Sequence, residues 1–332
     1  MQEDEKENGN DWVITIIDRA SVEHALGRVV GVVKEQGLEL DRIQALSNVM
    51  PDGHIATPAD ESGDGTGYSA AEVWVYGHQF EEGRDRETAM RIEYATLADE
   101  IAVDLAFRRK GEYEQKRRLF VFDMDSTLIQ GEVIDELAKM AGVADRVVAI
   151  TASAMRGEIE FQESFRRRVA LLAGLPEARA RELLDRIPLM EGAERLFRTL
   201  KMRGAKTAIL SGGFTFFGVY LKEKLGVDHI YANELDVDAD GYVTGEVRGP
   251  VVDGARKAEL LVEIASREGI PLEEVVAVGD GANDLPMLRL AGMGVAFHAK
   301  PIVRASAAFS MIHVGLDGLL YLLGVPDWEW AE

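Results

Sequence analysis

An apolar run ending in two aspartates one residue apart, Leu119-Phe120-Val121-Phe122-Asp123-Met124-Asp125-Ser126-Thr127, constrains this chain more than any other stretch. Leu-Phe-Val-Phe has the length and the aromatic and β-branched character of a buried strand. Carboxylates at the end of such a strand are costly unless a metal, a proton or a set of donors meets them. Asp is also common in turns after strands, where its side chain bonds local backbone, and Thr127 closes such a turn. What the rest of the chain brings to the same place decides between these readings.

A chain of 332 residues is long for one core, so two or three domains are expected. A net charge of −21 argues against a nucleic-acid partner and against an anionic membrane surface. It leaves room for a small anionic substrate, because a buried cation and a few Lys or Arg can reverse the local field. With no cysteine, disulfides, thiol chemistry and zinc-thiolate sites are excluded. No stretch approaches about 18 consecutive apolar residues, so no membrane span is expected. The acidic, polar residues 1–10 are the opposite of a signal peptide and read as a disordered tail, and a cytoplasmic location follows as the expectation.

From residue 11 the pattern is strand (12–17), helix (21–36), strand (38–47), a Pro/Gly/Asp/Ser-rich loop (50–68), strand (70–77) and a long helix over 84–109 that includes Leu105. That is β-α-β-β-α, with a final strand left open. Residues 111–118 are charged and read as a linker. Beyond Phe122, helical patterns fill 134–141, 143–186 and 192–203. Apolar runs of strand length follow at 205–210, 275–278, 295–297 and 311–314, and a hairpin over 230–247 turns at Asp238-Ala239-Asp240-Gly241. Strands separated by helices argue for βαβ units and a parallel sheet.

Three more segments bear on the aspartate pair. Ala208-Ile209-Leu210 runs into Ser211-Gly212-Gly213, and Val275-Val276-Ala277-Val278 runs into Gly279-Asp280-Gly281-Ala282-Asn283-Asp284. Lys257 opens a helix after Gly254. Singly these are an ordinary turn, an ordinary loop and an ordinary surface lysine. In an open parallel sheet, however, ligands bind beyond the C-terminal strand ends, so the segments converge on one edge. Asp123 and Asp280 suit a hard divalent cation such as Mg2+. Ser211 and the N–H groups of Gly212 and Gly213 suit phosphate oxygens, and Lys257 adds a compact positive charge. Such a set stabilises a phosphoryl group. Asp123 can then act as nucleophile, while Asp125 protonates the leaving oxygen and later deprotonates water.

These four ordered segments resemble the motifs of the haloacid dehalogenase superfamily, over about 119–320. The resemblance implies a Rossmann-like α/β core with a parallel sheet, an aspartyl-phosphate intermediate and Mg2+. It also implies that the Asp125 carbonyl joins Asp123 and Asp280 on the metal, with Asp284 and Thr127 supporting those ligands. Residues 128–210 exceed one crossover helix, which suits a helical cap over about 131–195 that excludes water and selects substrate. Asp123 to Glu136, and Phe161-Gln162-Glu163-Ser164-Phe165-Arg166-Arg167-Arg168-Val169, resemble the phosphoserine phosphatase family. On that resemblance Glu132 pairs with the substrate ammonium, Arg168 with its carboxylate, Met155 and Phe161 form an apolar wall, and Asn283 bonds near the phosphate. The N-terminal element order resembles the ferredoxin-like α+β ACT domain, which implies dimerisation or sensing of an amino acid such as L-serine.

The expected organisation is therefore a tail (1–10), an ACT-like domain (11–110), a linker (111–118) and a phosphatase domain with cap (119–332). The expected activity is Mg2+-dependent hydrolysis of O-phospho-L-serine to L-serine and phosphate, the last step of serine synthesis, in a homodimer. Open alternatives are phosphoryl transfer from phosphoserine to another alcohol such as homoserine, a small-molecule phosphatase of other specificity, and a non-catalytic amino-acid sensor.

Overall fold

The structure is a computed structural model that describes residues 11–47, 68–77 and 84–331. The tail expected over 1–10 and nearly all of the loop expected over 50–68 lie outside the described residues. The chain forms two compact units, one of residues 1–116 with 310–332, the other of 117–309. Residues 310–332, expected in the phosphatase domain, thus group with the first unit.

In the first unit, strands β1 (Asp11–Asp18), β2 (Glu39–Ala45), β3 (Ser69–Tyr76) and β4 (Asp104–Arg109) form an antiparallel sheet in the order β2-β3-β1-β4. Helices α1 (Glu23–Glu35) and α2 (Arg84–Ile101) complete a β-α-β-β-α-β ferredoxin-like order, and a short turn of helix, α3 (Lys110–Tyr113), follows. The helix expected over 84–109 is corrected here. It stops at Ile101, Ala102 turns the chain at φ 55°, and the last strand begins. From Val103 the sequence alternates with period two, sending Val103, Leu105 and Phe107 into the core with Trp12, Ile14 and Ile16. A helical count absorbs Leu105 because one apolar residue satisfies either period.

The opposite face of this sheet carries Thr15, Glu72, Asp104 and Arg108, all buried. Residues 310–332 cover the part that bears Thr15, Asp104 and Arg108, while Tyr113 of α3 reaches Glu72. Asp104 accepts from the N–H groups of Ile312 (2.8 Å) and His313 (3.1 Å), and Tyr68 Oη accepts from Gly315 N–H at 2.9 Å. Arg108 donates to the Leu322 carbonyl and, at 2.7 Å, to Thr15 Oγ1. The short helix Gly318–Leu322 packs on β1. Burial pushes the carboxyls of Glu72 and Asp104 up, against the donors that face them.

The second unit opens with β5 (Leu119–Phe122). Helices α4 (Val133–Met140), α5 (Ala144–Met155), α6 (Phe161–Ala170), α7 (Glu177–Arg181) and α8 (Ala193–Met202) follow. Then come β6 (Lys206–Phe214), α9 (Thr215–Leu225), the hairpin β7 (His229–Val237) and β8 (Val243–Arg248), α10 (Gly254–Glu268), β9 (Val275–Gly279), α11 (Leu285–Leu290), β10 (Met293–Phe297), α12 (Pro301–Arg304) and β11 (Phe309–Met311). The boundary between the units falls within β11.

The sheet order is β11-β10-β9-β5-β6-β7-β8, parallel from β10 to β7 with β8 antiparallel to β7. Side chains of β5 alternate. Leu119 and Val121 join Leu260, Leu261 and Ile264 of α10, whereas the Phe122 ring meets Phe197 of α8 at a tilt, centroids 4.9 Å apart. Helices therefore cover both faces of a buried parallel sheet, as a Rossmann-like fold requires.

Candidate active site

Strand register brings the motifs together. Phe122, at the end of β5, lies opposite Ile209 of β6 on one side and Val278 of β9 on the other. Asp123 and Asp280 therefore leave the neighbouring strands β5 and β9, and Ser211 stands on β6 beside them, at one sheet edge. Asp123 N–H continues the ladder to the Val278 carbonyl at 2.9 Å, which fixes the first aspartate as an extension of its strand. The chain then turns sharply. Thr127 and Leu128 donate N–H bonds to the Met124 carbonyl, and Ser126 takes a left-handed φ of 58° while its N–H bonds Gly131 O at 3.0 Å. That conformation costs a non-glycine residue about 1 kcal/mol. It releases the backbone to place the Asp125 side chain away from Asp123. Asp125 Oδ1 accepts from Val133 N–H at 2.8 Å, at the start of α4, and Ser211 Oγ reaches Oδ2 at a long 3.5 Å.

Asp123, Asp280 and Asp284 each offer a carboxylate oxygen within 4.8 Å of the others. Lys257, fully buried on the first turn of α10, donates to Asp123 Oδ1 and to Asp284 Oδ1, both at 2.7 Å. Asp284 Oδ2 accepts from Gly281 N–H at 2.9 Å, and Thr127 Oγ1 donates to Asp280 Oδ1 at 3.3 Å. Burial raises the Asp123 carboxyl well above the usual range, and neighbouring Asp284 adds to it against Lys257. Burial and then Asp284 raise Asp280 to about 7. For Lys257, burial opposes the charged form, but Asp123 and Asp284 outweigh it and push the ammonium up. One lysine cannot balance three carboxylates. An all-oxygen, buried donor set with uncompensated negative charge fits a hard divalent cation.

Burial, then Glu132, pushes the Asp125 carboxyl up to about 7, against the Val133 N–H. A carboxyl that holds a proton near neutrality suits general acid–base work. The two aspartates of the opening motif thus differ in partner and direction: the first faces lysine and the acidic group, the second faces a helix start and a serine.

Ser211-Gly212-Gly213, expected as a turn, stays within β6; the register slips between Leu210 and Phe214 and α9 begins at once. The slip lets Gly213 N–H donate to Ser211 Oγ at 2.8 Å. Gly213 is required by space, because a Cβ there meets Asp125 Oδ2 at 2.3 Å. Asn233, which the sequence reading missed, is the brace behind this segment. It donates to Gly212 O and accepts from Val252 N–H, both at 2.8 Å. A buried Asn in a strand (2% exposed) is the signal that marks it.

The helical insert closes the site. A cavity of about 680 Å³ is lined by Asp123, Asp125, Gly212, Gly213, Asp280 and Asn283 from the core, and by Glu132, Met155, Phe161 and Arg168 from the cap. Thr127, Ser211, Lys257 and Asp284 stand behind this wall, each bonded to a residue of it. Gln162 of α6 donates to Asp253 Oδ2 at 2.5 Å, and Asp253 in turn caps α10 through Arg256 N–H, so cap and lysine-bearing helix are tied together. Arg166 and Arg167 point to solvent. Glu132 is reachable by solvent from the cavity, yet enough protein surrounds it that desolvation is the first cause raising its carboxyl, with Asp135 next and Arg168 opposing. Burial lowers the Arg168 guanidinium, while Glu132 and Asp135 hold it up. Sequence reasoning also missed Asp135, Thr151, Ser164 and Lys300, which share this lining.

Residues 120–289 match the haloacid dehalogenase-like hydrolase family. A phosphoserine phosphatase of Archaeoglobus fulgidus is 46% identical over 229 residues, 69% of this chain and 66% of that protein, so just under two thirds of its length is spanned. One from Streptomyces coelicolor is 40% identical over 317 residues, 96% of this chain and 71% of that protein. The solved, unliganded structure of a probable phosphoserine phosphatase from Vibrio cholerae is 33% identical, with a TM-score of 0.71 over 96% of this chain and 88% of its own.

Proposed function

The chain belongs to the haloacid dehalogenase-like hydrolases, and on that premise we propose that it is a Mg2+-dependent phosphoserine phosphatase, releasing L-serine and phosphate. The observation that carries this reading is one cavity that joins Asp123 and Asp125 to Glu132 and Arg168. A phosphate end meets the sheet edge, and a zwitterionic end meets one group of each sign in the cap.

In the first half-reaction an Asp123 carboxylate oxygen attacks phosphorus and the bond from phosphorus to the seryl oxygen breaks. Asp125 gives its proton to that oxygen. In the second, Asp125 takes a proton from water as the water oxygen attacks phosphorus, and the bond from Asp123 to phosphorus breaks. Lys257 holds Asp123 in place, and Ser211 with the Gly212 and Gly213 N–H groups receives the phosphoryl oxygens. Asp123, Asp280 and the Asp125 carbonyl would hold Mg2+, with Asp284 and Thr127 supporting them. When bound, the ion neutralises charge on the phosphoryl group. Glu132 holds the ammonium, Arg168 the carboxylate, Met155 and Phe161 the methylene, and Asn283 the region near phosphate. The same reading carries a cytoplasmic homodimer with an amino-acid effector, L-serine or another, at the first unit.

The test is phosphate release from O-phospho-L-serine with Mg2+. The wild-type protein hydrolyses it without an acceptor alcohol, and Arg168→Ala raises KM by about 10–100-fold, as loss of a charge-assisted pair predicts. An Arg168→Ala protein with wild-type KM sinks the cap assignment. Treatment with EDTA removes activity and added Mg2+ restores it; activity that survives exhaustive chelation excludes the metal role.

A further inference from the structure

Three polar atoms in the cap are buried without a hydrogen-bond partner: Thr151 Oγ1, Ser164 Oγ and Arg168 Nε. All three residues line the same cavity. Ser164 is 1% exposed, so its hydroxyl has no route to bulk water from elsewhere. An unsatisfied buried hydroxyl costs about 1–3 kcal/mol, and three such atoms in one cavity wall call for a common partner.

Helix geometry shows what they share. Ser164 and Arg168 are four residues apart on α6, one turn along the same face, which Phe161 and Phe165 also occupy. Thr151 lies on α5, four residues before Met155, and α5 packs on α6. Thr151, Ser164 and Arg168 therefore border one pocket of the cap, with two hydroxyls and a guanidinium N–H left unpartnered just behind its wall. A guanidinium repels an ammonium, so the group that satisfies this set is an anion, and hydroxyls can donate to it. The substrate ammonium has Glu132, with Asp135 nearby, as its own partners.

We infer, resting on the function proposed above, that Ser164 and Thr151 complete the carboxylate site with Arg168, so that phosphoserine is selected over phosphomonoesters lacking a carboxylate. Arg168 supplies charge, and the hydroxyls fix which way the carboxylate lies. They bind substrate and take no part in phosphoryl transfer.

The experiment compares kcat/KM for O-phospho-L-serine with that for O-phosphoethanolamine, which keeps ammonium and phosphate but lacks the carboxylate. The ratio of the two falls about tenfold in Ser164→Ala and in Thr151→Val, the loss expected for one hydrogen bond to a charged group. Thr151→Ser restores the hydroxyl and returns the ratio toward wild type. Thr151→Val preserves side-chain volume, so it carries the test alone if Ser164→Ala does not fold. A ratio equal to wild type in the folded variants overturns the assignment, whether both activities fall together or neither does. Wild-type protein inert toward phosphoserine overturns the proposed function and this assignment with it, which separates the two failures.

Discussion

Asp123→Asn is expected to lower phosphate release from phosphoserine by at least about a thousandfold, the scale on which loss of a nucleophile is felt. Asn keeps the shape of Asp but is a poor nucleophile toward phosphorus, and it removes one of three mutually repelling carboxylates. Two readouts separate these effects. Activity collapses, while stability holds or rises, because burial and Asp284 already strain the ionised form of Asp123. Phosphate release by the variant at the wild-type rate, after mass spectrometry has excluded deamidation to Asp, rules out Asp123 as nucleophile.

Lys257→Met is expected to damage both activity and fold. Its ammonium is fully buried and bridges Asp123 and Asp284 at 2.7 Å each. Removing one partner of a buried pair leaves charge stranded and costs about 3–5 kcal/mol. The urea midpoint therefore drops and phosphate release falls with it. Combining Lys257→Met with Asp123→Asn removes one stranded charge, so the double variant is more stable than the sum of the two single effects predicts, by about 1–3 kcal/mol. Strict additivity denies the coupling that the geometry implies.

How much of this was legible in the sequence follows from what each feature depends on. The aspartate, Ser-Gly-Gly and Gly-Asp-Gly segments sit at strand ends, and strand ends are marked by apolar runs meeting Gly, Ser or Asp. The order of Asp123, Ser211, Lys257 and Asp280 therefore told both the fold and the edge on which they meet. The cap was legible as excess length between Thr127 and Ser211, and Arg168 by its place in a matched helix. Ser164 was not, because an isolated serine on a helix is chemically silent until its hydroxyl is seen to lack a partner. Asn233 was hidden for a related reason: its worth lies in Gly212 and Val252, distant in sequence from it and from each other. The strand Asp104–Arg109 was lost at its junction, where one residue at φ 55° switches the period from helix to strand. The Ser-Gly-Gly segment reads as a turn by composition, yet pairing with β7 on both sides of the slip, at Leu210 and again at Phe214, keeps it extended.

The cover of the first sheet by residues 310–332 has a consequence for biosynthesis. The chain emerges from the ribosome with the strands that bear Thr15, Asp104 and Arg108 first, and with their cover only after all of residues 117–309. Domains fold as units as they emerge, N-terminal parts first. Here the first unit begun is the last to be finished: its polar sheet face stays wet until an entire enzyme domain has been made.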